Sequence, residues 1–176
     1  GLCPSYHART SNDVDEESYG KLMALVRQWS GMNERPMLFW FHHLYRHRRP
    51  QHRGVPMLLT GLWQRFFRDL AEHGNMMFMQ LDADSVMLEH LNRYVMYRLL
   101  YNPHEDVQAI VEDYARSFYG PGAEIVLGLL RDIEARCVAI AESQAGMMDI
   151  WDKHFTDEVM AEYRGRADQL VEVTAG

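Results

Sequence analysis

Apolar residues recur every three or four positions along most of the chain, which is the period of an amphipathic α-helix. This spacing predicts helices at about 16–30, 57–73, 84–101, 103–118, 122–143 and 156–170. Glycines end the first two helices at Gly31 and Gly74, and Asn102 is placed to cap the helix that begins at Pro103. Thr156 is placed to cap the last helix.

The same spacing assigns an inward face to each helix. On the first helix this face consists of Leu22, Leu25, Val26 and Trp29. Trp63 and Cys137 are predicted to be core residues of later helices. Two further inward faces are predicted at Val107, Ile110, Val111, Tyr114 and Phe118, and at Val159, Met160, Tyr163, Ala167 and Leu170.

Two short, continuously apolar runs at 36–41 and 76–80 interrupt the helical pattern. Their length is typical of buried strands, and the helix between them favours parallel pairing. Two strands cannot form a stable parallel sheet alone, because both faces and both edges need cover. We therefore expect that part of the fold lies upstream of this chain.

Composition narrows the class of protein. The 176 residues are 47% hydrophobic and 24% charged, which is typical of a globular domain. The formal net charge of −7 argues against nucleic acid binding, and no apolar run approaches the roughly 20 residues of a membrane span. The two cysteines, Cys3 and Cys137, do not form a disulfide framework, and the compartment stays open.

Two blocks within residues 90–122 are distinctive. They read Leu-Leu-Tyr-Asn-Pro at 99–103 and Phe-Tyr-Gly-Pro at 118–121. This region resembles an uncharacterised bacterial family of glycoside-hydrolase-like barrel proteins, related in plan to hexosaminidases and alpha-glucuronidases. The likeness extends over nearly the whole chain, including the Phe-Thr-Asp-Glu-Val-Met stretch at 155–160.

The resemblance implies a helix-rich α/β fold, built from the last βα units of a (β/α)₈-type barrel followed by a helical region. Residues 1–83 would then be a partial barrel. Residues 84–176 would provide the barrel-closing helix and a C-terminal helical region. Since a complete barrel needs roughly 200 residues or more, the chain would be the C-terminal portion of a larger glycosidase.

Chemistry in such barrels lies where the strands end. A glycosidase needs two carboxyl groups facing the sugar, and Asp82 is the candidate catalytic residue here. An aspartate ahead of a helix is also a common N-cap, which is the competing interpretation of Asp82 and Asp84. The candidate substrate-binding residues, at the strand ends or placed there by the resemblance, are Tyr6, His7, Trp40, His42, His43, Tyr45 and Gln80.

The loop at 46–56 is rich in arginine and histidine, but it has no spacing typical of a metal site. No metal and no cofactor are predicted. A binding site for acidic polymers at Arg46, Arg48 and Arg49 is the weakest of the functional interpretations.

The leading hypothesis is a carbohydrate-active, glycoside-hydrolase-like protein, with a carbohydrate as substrate and the remainder of a larger chain or a partner subunit as its neighbour. The alternative is a noncatalytic helical interaction or scaffold module. Its many apolar faces and twelve methionines would dock on a partner chain.

Overall fold

The computed structural model describes residues 16–32, 37–42, 58–74, 76–80, 86–143 and 149–175. A 3₁₀ turn at Gly120–Gly122 joins the fourth helix to the fifth, and a π-helical turn at Ile150–His154 precedes the last helix. The predicted helices are confirmed, with their ends shifted by a few residues. In chain order, the elements are α1 (Glu16–Gly31), β1 (Leu38–His42), α2 (Thr60–Ala71), β2 (Met76–Gln80), α3 (Val86–Tyr101), α4 (Val107–Tyr119), α5 (Ala123–Ser143) and α6 (Asp157–Thr174).

The core is formed chiefly where α2, α3, α4 and α5 pack against one another. Three aromatic rings of α2, those of Trp63, Phe66 and Phe67, lie with centroids 6.1 to 6.4 Å apart at the centre of this core. Cys137 of α5 is also fully buried. The predictions that Trp63 and Cys137 are core residues are therefore confirmed.

The start of α2 is fixed by side chains from two other helices. The first N–H groups of a helix have no partner within it, so they need acceptors from elsewhere. Backbone N–H groups here donate to side chains of α3 and α5: Leu58 to Cys137 at 3.4 Å, Leu59 to Asn92 at 3.5 Å, and Gly61 to Glu134 at 3.1 Å. The buried Thr60 hydroxyl also donates to Glu134, at 2.8 Å.

Strands β1 and β2 pair in parallel, with Leu38 opposite Met76 at one end and His42 opposite Gln80 at the other. In the part of the chain that the structure describes, this two-stranded ribbon is the whole sheet. Among the described elements, each strand packs chiefly against the other strand, and each helix packs chiefly against other helices.

The expected fold class is therefore wrong. The described residues form a helical fold, and they contain no βα units of a (β/α)₈ barrel. In such a barrel each helix covers the strands, whereas here the apolar faces of α2 to α5 bury one another. The resemblance implied a barrel, whereas the two apolar runs form only a two-stranded ribbon within the described residues.

The predicted inward face of α1 is also wrong in part. Tyr19, Met23 and Val26 are buried, whereas Leu25 is 41% exposed and Trp29 is 46% exposed. The helix is rotated because Tyr19 has specific partners on α2: its hydroxyl donates to an aspartate, and an arginine guanidinium covers its ring at 4.0 Å. Leucine and tryptophan are thereby turned towards the surface.

Helix α4 begins later than predicted. Asn102 does not cap it; the Asn102 side chain accepts from the backbone N–H of His104 at 3.2 Å, within the turn that follows α3. Asp106 is the N-cap and accepts from the N–H of Gln108 at 3.1 Å. Phe118, predicted to face inward, is 59% exposed.

Helix α6 lies on the outside of the molecule. The predicted cap is confirmed, since the Thr156 hydroxyl oxygen accepts from the N–H of Val159 at 3.4 Å. None of its residues is buried, although Tyr163 and Leu170 pack against the core. Leu170 fits closely over Gly122, where a larger residue would displace it.

Candidate functional site

The carboxyl ends of β1 and β2 bring two of the predicted site residues together. His42 and Gln80 end the two strands and are direct partners in the parallel register. Neighbouring strands lie about 4.8 Å apart, so these two residues occupy adjacent positions at one edge of the ribbon. Trp40 belongs to the same strand as His42, two positions earlier, and is paired with Phe78.

The remaining predicted site residues lie outside the described residues: Tyr6, His7, His43, Tyr45 and Asp82. By sequence, Asp82 follows Gln80 by two positions, and His43 directly follows His42. The catalytic role of Asp82 and the substrate contacts of the others stay predictions. The arginine-rich loop at 46–56 also falls outside the described ranges.

A polar cavity of about 200 Å³ lies between α1 and α2. At its wall the Tyr19 hydroxyl donates to Asp69, while Arg65 lies over the Tyr19 ring. Gly20 forms part of the rim, and a side chain there would meet open space. At about 30 Å³ for each water molecule, the cavity is large enough for a small cluster of waters.

Sequence reasoning missed this cavity because it is formed by residues such as Tyr19 and Asp69, which are 50 positions apart in the chain. The available signal was the spacing of Tyr19, Met23 and Arg27, which repeats every four positions and marks a second face on α1. That face carries a tyrosine hydroxyl and a positively charged arginine, so its spacing indicates a polar contact rather than an apolar one.

A charged cluster joins α3 to α4. Arg98 binds the carboxylate of Glu105 and donates to Asp113 at 3.0 Å and to the Tyr94 hydroxyl at 3.0 Å. Tyr94 in turn donates to Asp113 at 2.7 Å. Hydrogen bonds from Tyr94 and then Arg98 lower the pKa of Asp113, and the Glu105 hydrogen bond raises that of Arg98. Asp113 therefore stays ionised at neutral pH and is not suited to act as a general acid.

A second cluster joins α5 to α6. Arg136 donates to Asp132 at 2.8 Å and to the backbone carbonyl of His154 at 2.8 Å. Tyr163 of α6 donates to Asp132 at 2.5 Å. Burial raises the pKa of Asp132, but the hydrogen bonds from Arg136 and Tyr163 more than offset this and leave it below its ordinary value. All the polar groups of this cluster are engaged with one another, which indicates a role in attaching α6.

The described ranges contain neither a cluster of metal ligands nor a helix that could span a membrane. No three histidine, cysteine, aspartate or glutamate side chains there come together in a way that would hold a metal ion. Among the helices that the structure describes, none is both long and apolar enough to cross a membrane.

Comparison with curated proteins and with solved structures gave no match. A family whose description is "Domain of unknown function (DUF4838)" matches residues 5–129. This segment contains both strands, helices α1 to α4 and all the predicted site residues from Tyr6 to Asp82. Because the match spans well over half of the 176 residues, the chain belongs to the DUF4838 family.

Proposed function

We propose that this chain is part of a carbohydrate-active protein and that the carboxyl ends of β1 and β2 contact the sugar. The observation that carries the proposal is the pairing of His42 with Gln80 at that edge. Ligands of parallel sheets bind outside the carboxyl ends of the strands, where the chain leaves the sheet and loops begin. Here that edge is marked by two polar residues that follow strongly apolar segments.

The residue types at this edge suit sugar recognition. The amide of Gln80 both donates and accepts hydrogen bonds, and so does the neutral imidazole of His42, as vicinal hydroxyl groups require. The aromatic residues near it in sequence, Trp40 and Tyr45, are of the type that stacks on the apolar face of a pyranose. Polar residues of this kind suit the hydroxyl groups of a sugar, and aromatic residues suit its apolar face.

The proposed reaction is hydrolysis of a glycosidic bond. Asp82 would provide one carboxyl group, as the acid that protonates the leaving oxygen or as the nucleophile or base. The second carboxyl group would come from the remainder of a larger chain or from a partner subunit. The strand ends would then position the sugar, and Asp82 would face the bond to be broken.

Binding and turnover test this proposal separately. Using the native, full-length protein, we would measure binding of N-acetylglucosamine and glucuronic acid by saturation-transfer NMR, and hydrolysis of their nitrophenyl glycosides. We expect Gln80→Ala to weaken sugar binding, whereas Asp82→Asn should lose turnover and keep both binding and fold. The matched controls Gln108→Ala and His104→Ala change exposed residues of the same types and should have no effect. Absence of sugar binding in the wild-type protein would refute the proposal.

A noncatalytic interaction module is the second candidate, and α1 favours it. Leu25 and Trp29 of α1 are 41% and 46% exposed, and Met32, which directly follows the helix, is 75% exposed. The three residues continue one helical spacing. Exposed apolar stripes of this kind are typical of surfaces that dock on other proteins. The partner would be the remainder of a larger chain or a separate subunit.

Light scattering distinguishes this candidate. If α1 is a docking surface, the isolated 176-residue chain should self-associate, and the double substitution Leu25→Lys, Met32→Lys should return it to a monomer. The native, full-length protein should then show no turnover of any glycoside. A monomeric wild-type chain at millimolar concentration would argue against the docking surface.

A further inference from the structure

The outward side of α3 carries a row of aromatic residues. His90, Tyr94, Tyr97 and Tyr101 are spaced by four, three and four positions, so they share one face of the helix, opposite its buried side. At 1.5 Å for each residue, the row extends over about 16 Å. Tyr97 is 58% exposed and Tyr101 is 95% exposed, so their rings are open to ligands.

Helix α4 widens this row at one end. Phe118 lies edge-on to His90 with ring centroids 5.1 Å apart, and it is 59% exposed. The Tyr114 ring contacts both Phe118 and Tyr94, with centroid distances of 4.8 Å and 5.6 Å. Its hydroxyl also shares a hydrogen bond with the His90 ring, at 3.2 Å. At this end of the row, His90, Tyr94, Tyr114 and Phe118 contact one another, so each ring limits the positions of its neighbours. We call this row, with Tyr114 and Phe118, the aromatic face.

Charged groups border the aromatic face at its middle. Asp113 and Arg98 are 3.0 Å apart, and their side chains are 51% and 39% exposed. Asp113 also accepts from the Tyr94 hydroxyl, which connects this pair to the row of rings. Arg98 uses four of its five N–H groups within this cluster, so the pair offers chiefly the second carboxylate oxygen of Asp113 and one N–H group beside the flat rings.

Resting on the proposed function, we infer that the aromatic face binds a carbohydrate chain along the axis of α3. Flat rings stack on the C–H faces of pyranoses, and the Arg98 and Asp113 pair matches the hydroxyl groups at the ring edges. Tyr94 and Tyr101 are seven residues apart, about 10.5 Å along the helix, so the surface takes successive sugar units rather than one.

The composition of the surface favours a glycan over a protein partner. Among the described side chains of α3 and α4, the large apolar ones that are exposed are all aromatic: Tyr97, Tyr101 and Phe118. The exposed stripe of α1 has leucine and methionine as well, which is more typical of protein contacts. The ionised pair at the middle of the aromatic face also disfavours burial under an apolar partner.

Affinity electrophoresis of the full chain tests the inference. Native gels would contain hydroxyethyl cellulose, glycol chitin or polygalacturonate, as a neutral, an amino-sugar and an acidic polymer. We expect at least one polymer to retard the wild-type chain. Tyr97→Ala with Tyr101→Ala should raise the dissociation constant about tenfold or more, whereas both tyrosines changed to phenylalanine should bind nearly as well, because stacking needs the ring. The control, Leu25→Ala with Met32→Ala, removes exposed apolar side chains from α1 and should not change retardation.

The outcomes separate this inference from the proposed function. Retardation that the double alanine variant keeps, or that no polymer produces, overturns the aromatic face as a glycan site. Self-association of the wild-type chain that the same variant abolishes would identify a protein contact and also overturn it. If the protein turns over glycosides but the double alanine variant is retarded as strongly as the wild type, the proposed function holds and the aromatic face is refuted. Retardation that depends on Tyr97 and Tyr101, without sugar binding at the strand ends, leaves the aromatic face standing alone.

Discussion

Helix α2 buries five of its twelve residues, whereas α6, with eighteen residues, buries none. The two helices also differ in how their polar groups are used. The first turn of α2 is held by hydrogen bonds to side chains of α3 and α5. The apolar side chains of the same helix are buried in the core. Within the part of the chain that the structure describes, helix α6 is attached through Tyr163, Leu170 and the cluster around Asp132.

The difference shows that an apolar stripe does not by itself decide burial. Both helices have such a stripe in the sequence, but only α2 has neighbours on several sides. Stability is therefore expected to be uneven, with α6 opening at a lower free energy than the α2 core. Three substitutions, ordered by expected size, test this comparison.

The largest effect is expected from Phe67→Ala in α2. Phe67 is fully buried among other rings, so its loss removes apolar contacts and leaves a cavity. We expect unfolding in urea to show a destabilisation of about 3–5 kcal/mol. Met160→Ala in α6 is the control, and since Met160 is 46% exposed its effect should stay within about 0.5 kcal/mol. Equal losses of unfolding free energy in the two variants would contradict the proposed difference in stability between α2 and α6.

An intermediate effect is expected from Glu134→Ala. The substitution leaves the Gly61 N–H and the buried Thr60 hydroxyl without their acceptor, at a cost of about 1–3 kcal/mol. Hydrogen exchange at Gly61 should accelerate, since its amide proton loses protection. Glu172→Ala removes an exposed carboxylate from α6 and should change neither stability nor exchange. Unchanged exchange at Gly61 would show that the start of α2 is held by other contacts.

The smallest effect is expected from Asp132→Asn, and it depends on pH. The pKa of Asp132 lies below its ordinary value near 3.8, so its ionised form stabilises the attachment of α6 above that pH. This contribution disappears as the pH falls through the lower pKa of the folded protein. At pH 7 we expect a loss of about 1 kcal/mol or less, seen as faster hydrogen exchange in α6, because the carboxylate is one-third exposed.

The difference between wild type and Asp132→Asn should therefore shrink at acidic pH. Asp168→Asn, an exposed change on α6, is the control and should show no such dependence. A difference that stays constant from pH 7 to pH 3 would mean that Asp132 acts through packing rather than through its charge.

Helix positions could be predicted from the sequence because period, glycines and caps act locally. The face that α1 buries could not, since Tyr19 and Leu25 both belong to helical stripes, and the choice depends on Asp69, which is distant in sequence. The start of α4 was misplaced because Asn102 and Asp106 are both good caps, and only the turn between them decides.

Site prediction shows the same division. The sequence placed His42 and Gln80 at the ends of two parallel strands, because both residues close short apolar runs. That they are direct partners depends on the register, which the structure shows. The aromatic face was missed, since periodicity assigned Phe118 to the core, and its exposure depends on how α4 crosses α3. To predict a surface formed by two helices, one must know their relative orientation, and the apolar pattern of one helix does not determine it.

The enclosed sulfur of Cys137 gives the protein an internal reporter of its own motions. The Sγ atom accepts from the Leu58 N–H and has no exposed surface, so a thiol-reactive reagent reaches it only when α5 parts from the segment ahead of α2. In a chain carrying Cys3→Ser, the rate of modification would thus measure how often the centre of the molecule opens. Comparing that rate with amide exchange in α6 would show whether the centre of the molecule opens together with α6 or independently of it.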